Sequence, residues 1–322
     1  MRRILTLSAV LSIFLIGVLP TSAADFYTGG STNSSTPTGN VARYNGSTGA
    51  FQGTLASGQG PWSLAFAPDG TLYVGFVSSR RASSPDGYIE RFNPTNGQSL
   101  GRLPYESRVV PIDMTFGGDG NLYVASYGIG VDKIDPITGA NLANYYLSEI
   151  GGITTNGNTL LATGGINVGS SYESGILKFN MTTNEYEGVF AQQEPVGFGY
   201  LAFAPNGNLF STEPAYDQVS IFAEDGSLVN QFAVNSPAGI AFGADGNAYI
   251  VSTESDRQVI NRYSVDGTFL DTFASLNGSL RYIDIAFGPS VSVPEPSSML
   301  ATVLFGGVAI GLARRRQCKK NA

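Results

Sequence analysis

Residues Trp62 to Phe76 read "WSLAFAPDGTLYVGF", and the same phrase returns along the chain. It appears as "IDMTFGGDGNLYVAS" from Ile112, "YLAFAPNGNLFSTE" from Tyr200 and "GIAFGADGNAYIVS" from Gly239. A degenerate copy, "GGITTNGNTLLATGG", starts at Gly151, and a truncated one, "IDIAFGPS", at Ile283. Apolar residues alternate on either side of an Asp-Gly or Asn-Gly pair. That is the pattern of strand, tight turn, strand, with glycine meeting the positive φ that the turn demands. A second hairpin follows each phrase, as in "GYIERFNPTNGQSLGRL" and "INRYSVDGTFLDTF". One unit therefore holds four strands.

The truncated copy has a first strand and nothing after it. The missing part stands at the other end of the chain: "FYTGG" parallels "LYVGF", and "NVARYNGSTGAFQGTL" parallels "GYIERFNPTNGQSLGRL". The expected fold is all-β, a six-bladed β-propeller of units about 44 residues long, closed by its N- and C-terminal strands. Closure of this kind removes open sheet edges. The alternatives are an open solenoid and a β-sandwich. The anchors Phe66, Phe116, Phe203, Phe242 and Phe287, whose place Thr155 takes in the degenerate copy, are expected in the core.

The units resemble NHL-repeat propellers, best in "PAGIAFGADGNAYIVSTESDRQVINRYSVDGTFLDTF". The resemblance spans Trp62 to Phe287, and departs from the family in having Asp256-Arg257-Gln258-Val259 where an Asn-His-Arg run is usual. It implies the fold rather than a function, because propellers host many unrelated activities.

The chain has 322 residues, 42% hydrophobic and 13% charged, with 41 glycines, no histidine and one cysteine. The absence of histidine excludes Ser-His-Asp and Cys-His nucleophile systems and histidine-ligated metals. The lone Cys318 excludes an intrachain disulfide, so core and sheet alone must hold the fold. Between Asp25 and Ser290 the chain has 11 Lys and Arg against 24 Asp and Glu, a net charge of −13. That sign argues against nucleic acid and anionic lipid as partners.

Both ends are addresses. Arg2 and Arg3, the apolar run Ile4 to Leu19 and the small residues after Pro20 form an expected signal peptide over 1–24, cut after Ala23 or Ala24. Residues 291–322 hold Pro294-Glu295-Pro296, an uncharged run from Ser297 to Ala313 of transmembrane length, and then Arg314, Arg315, Arg316, Lys319 and Lys320. In this order and spacing they resemble the PEP-CTERM sorting signal. The resemblance implies transient recognition by the membrane protease-transpeptidase exosortase and an inner-membrane-anchored precursor. The propeller of 25–290 would then be delivered to the cell surface or the extracellular polysaccharide matrix. A permanent single-pass anchor is the alternative.

Aligned first strands place Ser63, Asp113, Gly152, Tyr200, Gly239 and Asp284 at one equivalent position. In NHL-like propellers that position faces the central channel. Asp113 and Asp284 there are candidate ligands for Ca²⁺ or another divalent cation, or simply solvated channel carboxylates. Glu213, Asp217, Glu254 and Asp256 follow second strands, and Glu213 and Glu254 read as equivalent rim positions. Together with the two aspartates they would form a cation or sugar surface. Trp62, Tyr105, Tyr145, Tyr146 and Tyr200 are candidate sugar-stacking rings.

Three functions are compatible with these residues. The first is a non-catalytic interaction module for extracellular polysaccharide or surface proteins. The second is a divalent-metal-dependent lactonase-like hydrolase of the gluconolactonase type, whose chemistry needs no histidine. The third is a structural surface coat.

Overall fold

The computed structural model describes residues 23–32, 37–79, 86–105, 110–192, 199–255, 257–276 and 280–289. The expected signal peptide and the whole sorting tail, including the expected transmembrane helix, lie outside them, as does Asp256. Among the described residues no helix is long and apolar enough to cross a membrane. The body Ala23–Ser290 is a compact unit by itself.

The described chain is all-β, and its one helical element is the single turn Pro214–Tyr216. Antiparallel hairpins follow one another as the repeats dictate. The strands Ile240–Phe242, Ala248–Glu254, Arg257–Tyr263 and Phe269–Ser275 form one four-stranded sheet in chain order. Three further sheets have four strands each. The turns are built as their residues require. In "DGN" the Asp119 and Asp245 carboxylates each accept the backbone N–H two residues on, at 3.1 and 3.2 Å. Gly120 and Gly246 supply φ values of +79° and +80°.

The remaining sheet corrects the expectation of six separate ones. It has seven strands, because Phe51–Phe66 runs for 16 residues without a turn. Its first part pairs with Thr38–Tyr44, from Tyr44↔Phe51 to Thr38↔Gln59. Its second part pairs with Leu72–Ser79, from Gly60↔Val77 to Phe66↔Leu72. The chain thus passes from the outer strand of one repeat to the first strand of the next without breaking the ladder. At the far edge of this sheet the last strand, Arg281–Phe287, pairs with the first, Phe26–Ser31, with Phe26 opposite Phe287 and Thr28 opposite Ile285. The Gly288 N–H donates to the Asp25 carbonyl at 2.8 Å, and Asp25 holds Arg43 at 2.6 Å.

The first strands of successive units touch in cyclic order, the last returning to the one that contains Trp62. This is a propeller-like ring. The apolar clusters sit between consecutive units. One joins Tyr123, Val131 and Tyr145 to Ile153, Leu160 and Leu177. Another closes the circle by joining Tyr27 and Val41 to Leu64, Leu72 and Val74.

The anchor phenylalanines do less burying than the alternation implies. All five are half-buried, and four of them pack edge-on against the aromatic residue of the preceding unit's second strand, while Phe203 packs against the cluster of Leu161 and Ile176. Tyr27–Phe66, Tyr73–Phe116, Phe210–Phe242 and Tyr249–Phe287 have ring centroids 5.2, 5.1, 5.1 and 4.9 Å apart, each such pair being worth about 0.5–1.5 kcal/mol beyond its area. In the degenerate unit Thr155 keeps the link through its hydroxyl, which donates to the Phe116 carbonyl at 2.9 Å.

Candidate functional site

The innermost strand of each sheet has no neighbour on its channel side. Its outward N–H and C=O groups need partners from elsewhere. The position shared by Ser63, Asp113, Gly152, Tyr200, Gly239 and Asp284 answers that need. Asp113 Oδ2 accepts the N–H of Ile153, on the next unit's first strand, at 2.7 Å. Its Oδ1 accepts the N–H of Met114 at 2.8 Å. Asp284 repeats this across the point where the ring closes: Oδ2 accepts from Leu64 N–H and Oδ1 from Ile285 N–H, both at 2.7 Å. Ser63 makes the same link with opposite polarity, its hydroxyl donating to the Pro111 carbonyl at 3.2 Å. Gly152 makes it with its backbone, N–H to the Gly199 carbonyl at 2.8 Å.

Both aspartates are buried, at 6% and 5% exposure. Burial is the main force raising their pKa values, and for Asp113 the Asp284 charge adds to it while the amides of Ile153 and Met114 pull the other way. Asp113 is held well above the carboxylate range, and Asp284 reaches about 7 against the opposing amides of Leu64 and Ile285. Each of the four oxygens already accepts a strand amide. The other positions of the ring supply only a hydroxyl, glycines and a tyrosine. Among the described residues no three acidic or cysteine side chains are placed to share a metal. This donor set does not fit a resident divalent cation.

Glu213 and Glu254 are not equivalent. Leu201 pairs with Ser211 and Ile240 with Ile250, so Ser252 occupies the place of Glu213. The reason is strand length. Leu209–Glu213 stops where Pro214 opens its helical turn, whereas Ala248–Glu254 runs on. Glu213 is buried and accepts from the Ser220 hydroxyl, and from Gln218 Nε2 at 2.6 Å. Glu254 is exposed and accepts from Asn261 Nδ2 at 2.8 Å. Asp217, in a left-handed conformation at φ 52°, accepts the Ser236 N–H at 2.7 Å.

The aromatic candidates separate by burial. Trp62 is a core residue, its indole N–H donating to the Ser31 hydroxyl at 2.6 Å. Tyr145 is buried and donates to Asn184 Oδ1 at 2.9 Å. Tyr200 is half-buried on the inner ring, its N–H donating to Thr212 Oγ1 at 2.8 Å. Tyr105, which donates to Asp132, lines one open cavity, and Tyr145 and Tyr146, the latter 74% exposed, line another. Sequence reasoning missed Asp132, Asn141 and Asn144, although an Asn-x-x-Asn spacing on the outer strand after an acid in the third was there to be read.

Residues 292–317 match the PEP-CTERM protein-sorting motif. That motif implies recognition by exosortase. No curated protein matches the chain in sequence. Solved propellers resemble the body. The periplasmic gluconolactonase of Pseudomonas aeruginosa aligns over 84% of this chain and all of its own, with 16% identity and a TM-score of 0.53. Nidogen, in its complex with laminin, aligns over 82% of this chain and 98% of its own, with 14% identity and a TM-score of 0.59. A Xanthomonas campestris gluconolactonase covers 72% and 84%, with 15% identity and a TM-score of 0.53. At such identities the likeness is one of fold alone.

Proposed function

We propose that the chain is an exported interaction module: a six-bladed propeller, sorted by exosortase through its tail to the cell surface or the polysaccharide matrix. There it binds extracellular polysaccharide or surface proteins without catalysis. The count of six takes the seven-stranded sheet as two blades sharing Phe51–Phe66. The observation that carries the reading is the union in one chain of a matched sorting motif and a closed ring whose channel carboxylates serve as clips between neighbouring units.

The test is expression of the full chain with and without exosortase, followed by fractionation and by pull-down on extracted matrix polysaccharide with and without calcium. Transfer of a shortened chain to the surface fraction only when exosortase is present, with retention on the polysaccharide, is the expected result. A full-length chain that stays in the inner membrane beside active exosortase, or a body that the matrix does not retain, overturns it.

A second reading is a lactonase of the gluconolactonase type. The fold likeness alone favours it, since each oxygen of Asp113 and Asp284 is already taken by a strand amide. Metal-dependent turnover of a lactone panel that is lost in Asp113→Asn would establish it in place of the first.

A further inference from the structure

A second open space lies away from the inner ring. A cavity of about 450 Å³ lies at the outer edge of the sheet that contains Gly130–Ile134 and Asn141–Tyr145, walled by Pro104, Tyr105 and Ile129. At its floor is Asp132, 3% exposed. The fold does not need an acid there. Asp132 stands opposite Val124 on the third strand of its unit, a place held by Ala42, Glu90, Leu177, Ser220 and Asn261 in the other units; polar side chains are common there, but Asp132 alone is both charged and buried. A carboxylate is costly to bury where an uncharged side chain serves in four other units, so its presence calls for a reason.

The hydrogen bonds supply one. Asn141 Nδ2 and Asn144 Nδ2 both donate to Asp132 Oδ1, at 2.9 and 2.7 Å, and the Tyr105 hydroxyl donates to Oδ2. The buried charge fixes both amides with nitrogen inward and carbonyl outward. Among the described residues neither Asn Oδ1 accepts a hydrogen bond. The cavity therefore presents two oriented carbonyl acceptors beside a carboxylate oxygen with a lone pair to spare. A second cavity, of about 280 Å³, adjoins it and shares Asn144. Tyr146 stands at its rim, 74% exposed, and Asn167, Asn184 and Tyr186 line it. The two run from one sheet to the next, across the bridge between Ser148 and Gly165.

We propose that this double cavity binds a neutral glycan chain, with Asn141, Asn144 and Asp132 accepting sugar hydroxyls and the Tyr146 ring covering an apolar sugar face. The proposal rests on the interaction-module reading and supplies its site. An acceptor-rich pocket wants a donor-rich ligand, and hydroxyls are donors. No described Lys or Arg lines either cavity, and the body is acidic, so an anionic chain is disfavoured. The volume lies in the range of organic-ligand pockets rather than of a bare ion, and two cavities in series suit successive sugar units.

The test is calorimetry on the full chain, held in a detergent without a sugar head group, against maltohexaose, cellohexaose and mannohexaose. Hexagalacturonate and calcium chloride alone serve as separate arms. At least one neutral hexaose should bind. Asn144→Ala and Tyr146→Ala, both at exposed positions, should each weaken it by about tenfold, and Tyr146→Phe should restore it. Asp132→Asn, which turns an amide against the two donors, should weaken it at least as much. Unchanged unfolding midpoints by Trp62 fluorescence would show that the exposed-site variants are folded.

Binding of no neutral hexaose, equal affinity in the Asn144→Ala and Tyr146→Ala variants, or saturable binding confined to hexagalacturonate or calcium overturns the site. Matrix retention that survives both substitutions would remove this site and leave the module reading standing. Loss of retention in the unsubstituted chain would remove the module reading itself.

Discussion

A protein whose carboxylates are mostly turn-forming and hydrogen-bonded should lose stability in acid. The Asp284 clip predicts the opposite over part of the range. Its carboxyl holds a proton in the folded ring up to about 7, against an ordinary 3.8. Between those values the folded state binds a proton that the unfolded chain has released. Stability is then greatest near the lower value, falls as pH rises through the window, and levels off above about 7. The full difference, at about 1.36 kcal/mol per pH unit, sets a ceiling of roughly 4 kcal/mol. Asp113 is displaced in the same direction and steepens the fall. Asp119 works in a separate window. Burial would raise its pKa, but Lys133, Asn121 and Tyr123 outweigh that and hold it at about 2, so its contribution is lost only in stronger acid.

Urea unfolding can follow this through Trp62, the sole tryptophan, which is 7% exposed and bonded to Ser31 on the strand that closes the ring. The unfolding free energy should be lower at about pH 7.5 than at about pH 4.5, and Asp284→Asn should flatten the slope by close to one proton. A wild-type stability that is level or rising across that interval refutes the reasoning. So does a variant with an unaltered slope.

Other outcomes follow from the same contacts. Gly152→Ala would set a methyl 2.4 Å from the Gly199 carbonyl and should cost about 1–3 kcal/mol by overpacking the inner ring. Gly207→Ala meets nothing within 4 Å and carries only the strain of φ +89°, about 1 kcal/mol, so the ordering of the two midpoints is the check. Arg43→Ala breaks a partly exposed pair with Asp25 and should cost about 1 kcal/mol, diminishing with added salt. Trp62→Phe should cost a similar amount, since it leaves the buried Ser31 hydroxyl without its indole partner; thermal unfolding measures both.

The repeat was legible because its signals are local. Asp-Gly turns, alternating strands and the split of one unit between the two termini all stand in the sequence, and the pairing of Phe26 with Phe287 realises the last of them. The unbroken ladder through Phe51–Phe66 was not legible, because no turn residue announces that one strand serves two units. Aligning the first strands brings out the position shared by Asp113 and Asp284, yet its chemistry was open. Asp113 and Asp284 look like ligands in a column of aligned residues. Their partners are backbone amides, which carry no sequence signature. Glu213 and Glu254 were misaligned because the tail of a strand varies in length while its turn does not. Asp132 was passed over because its importance lies in being a buried charge at a place that holds Ala42, Glu90, Leu177, Ser220 and Asn261 in other units, and that comparison requires the register of third strands.

Closure also orders events in time. Phe26 and its partner Phe287 are 261 residues apart, so the earliest strand to emerge must wait for the last before either has a full set of ladder contacts. Pairing at such separation is slow, and until it happens the ring is an open arc with two bare edges. Only five residues after Phe287 the matched sorting segment begins. A chain threaded outward would therefore seal its circle just as its tail reaches the bilayer, and any trimming within that tail would leave every strand of the seal in place.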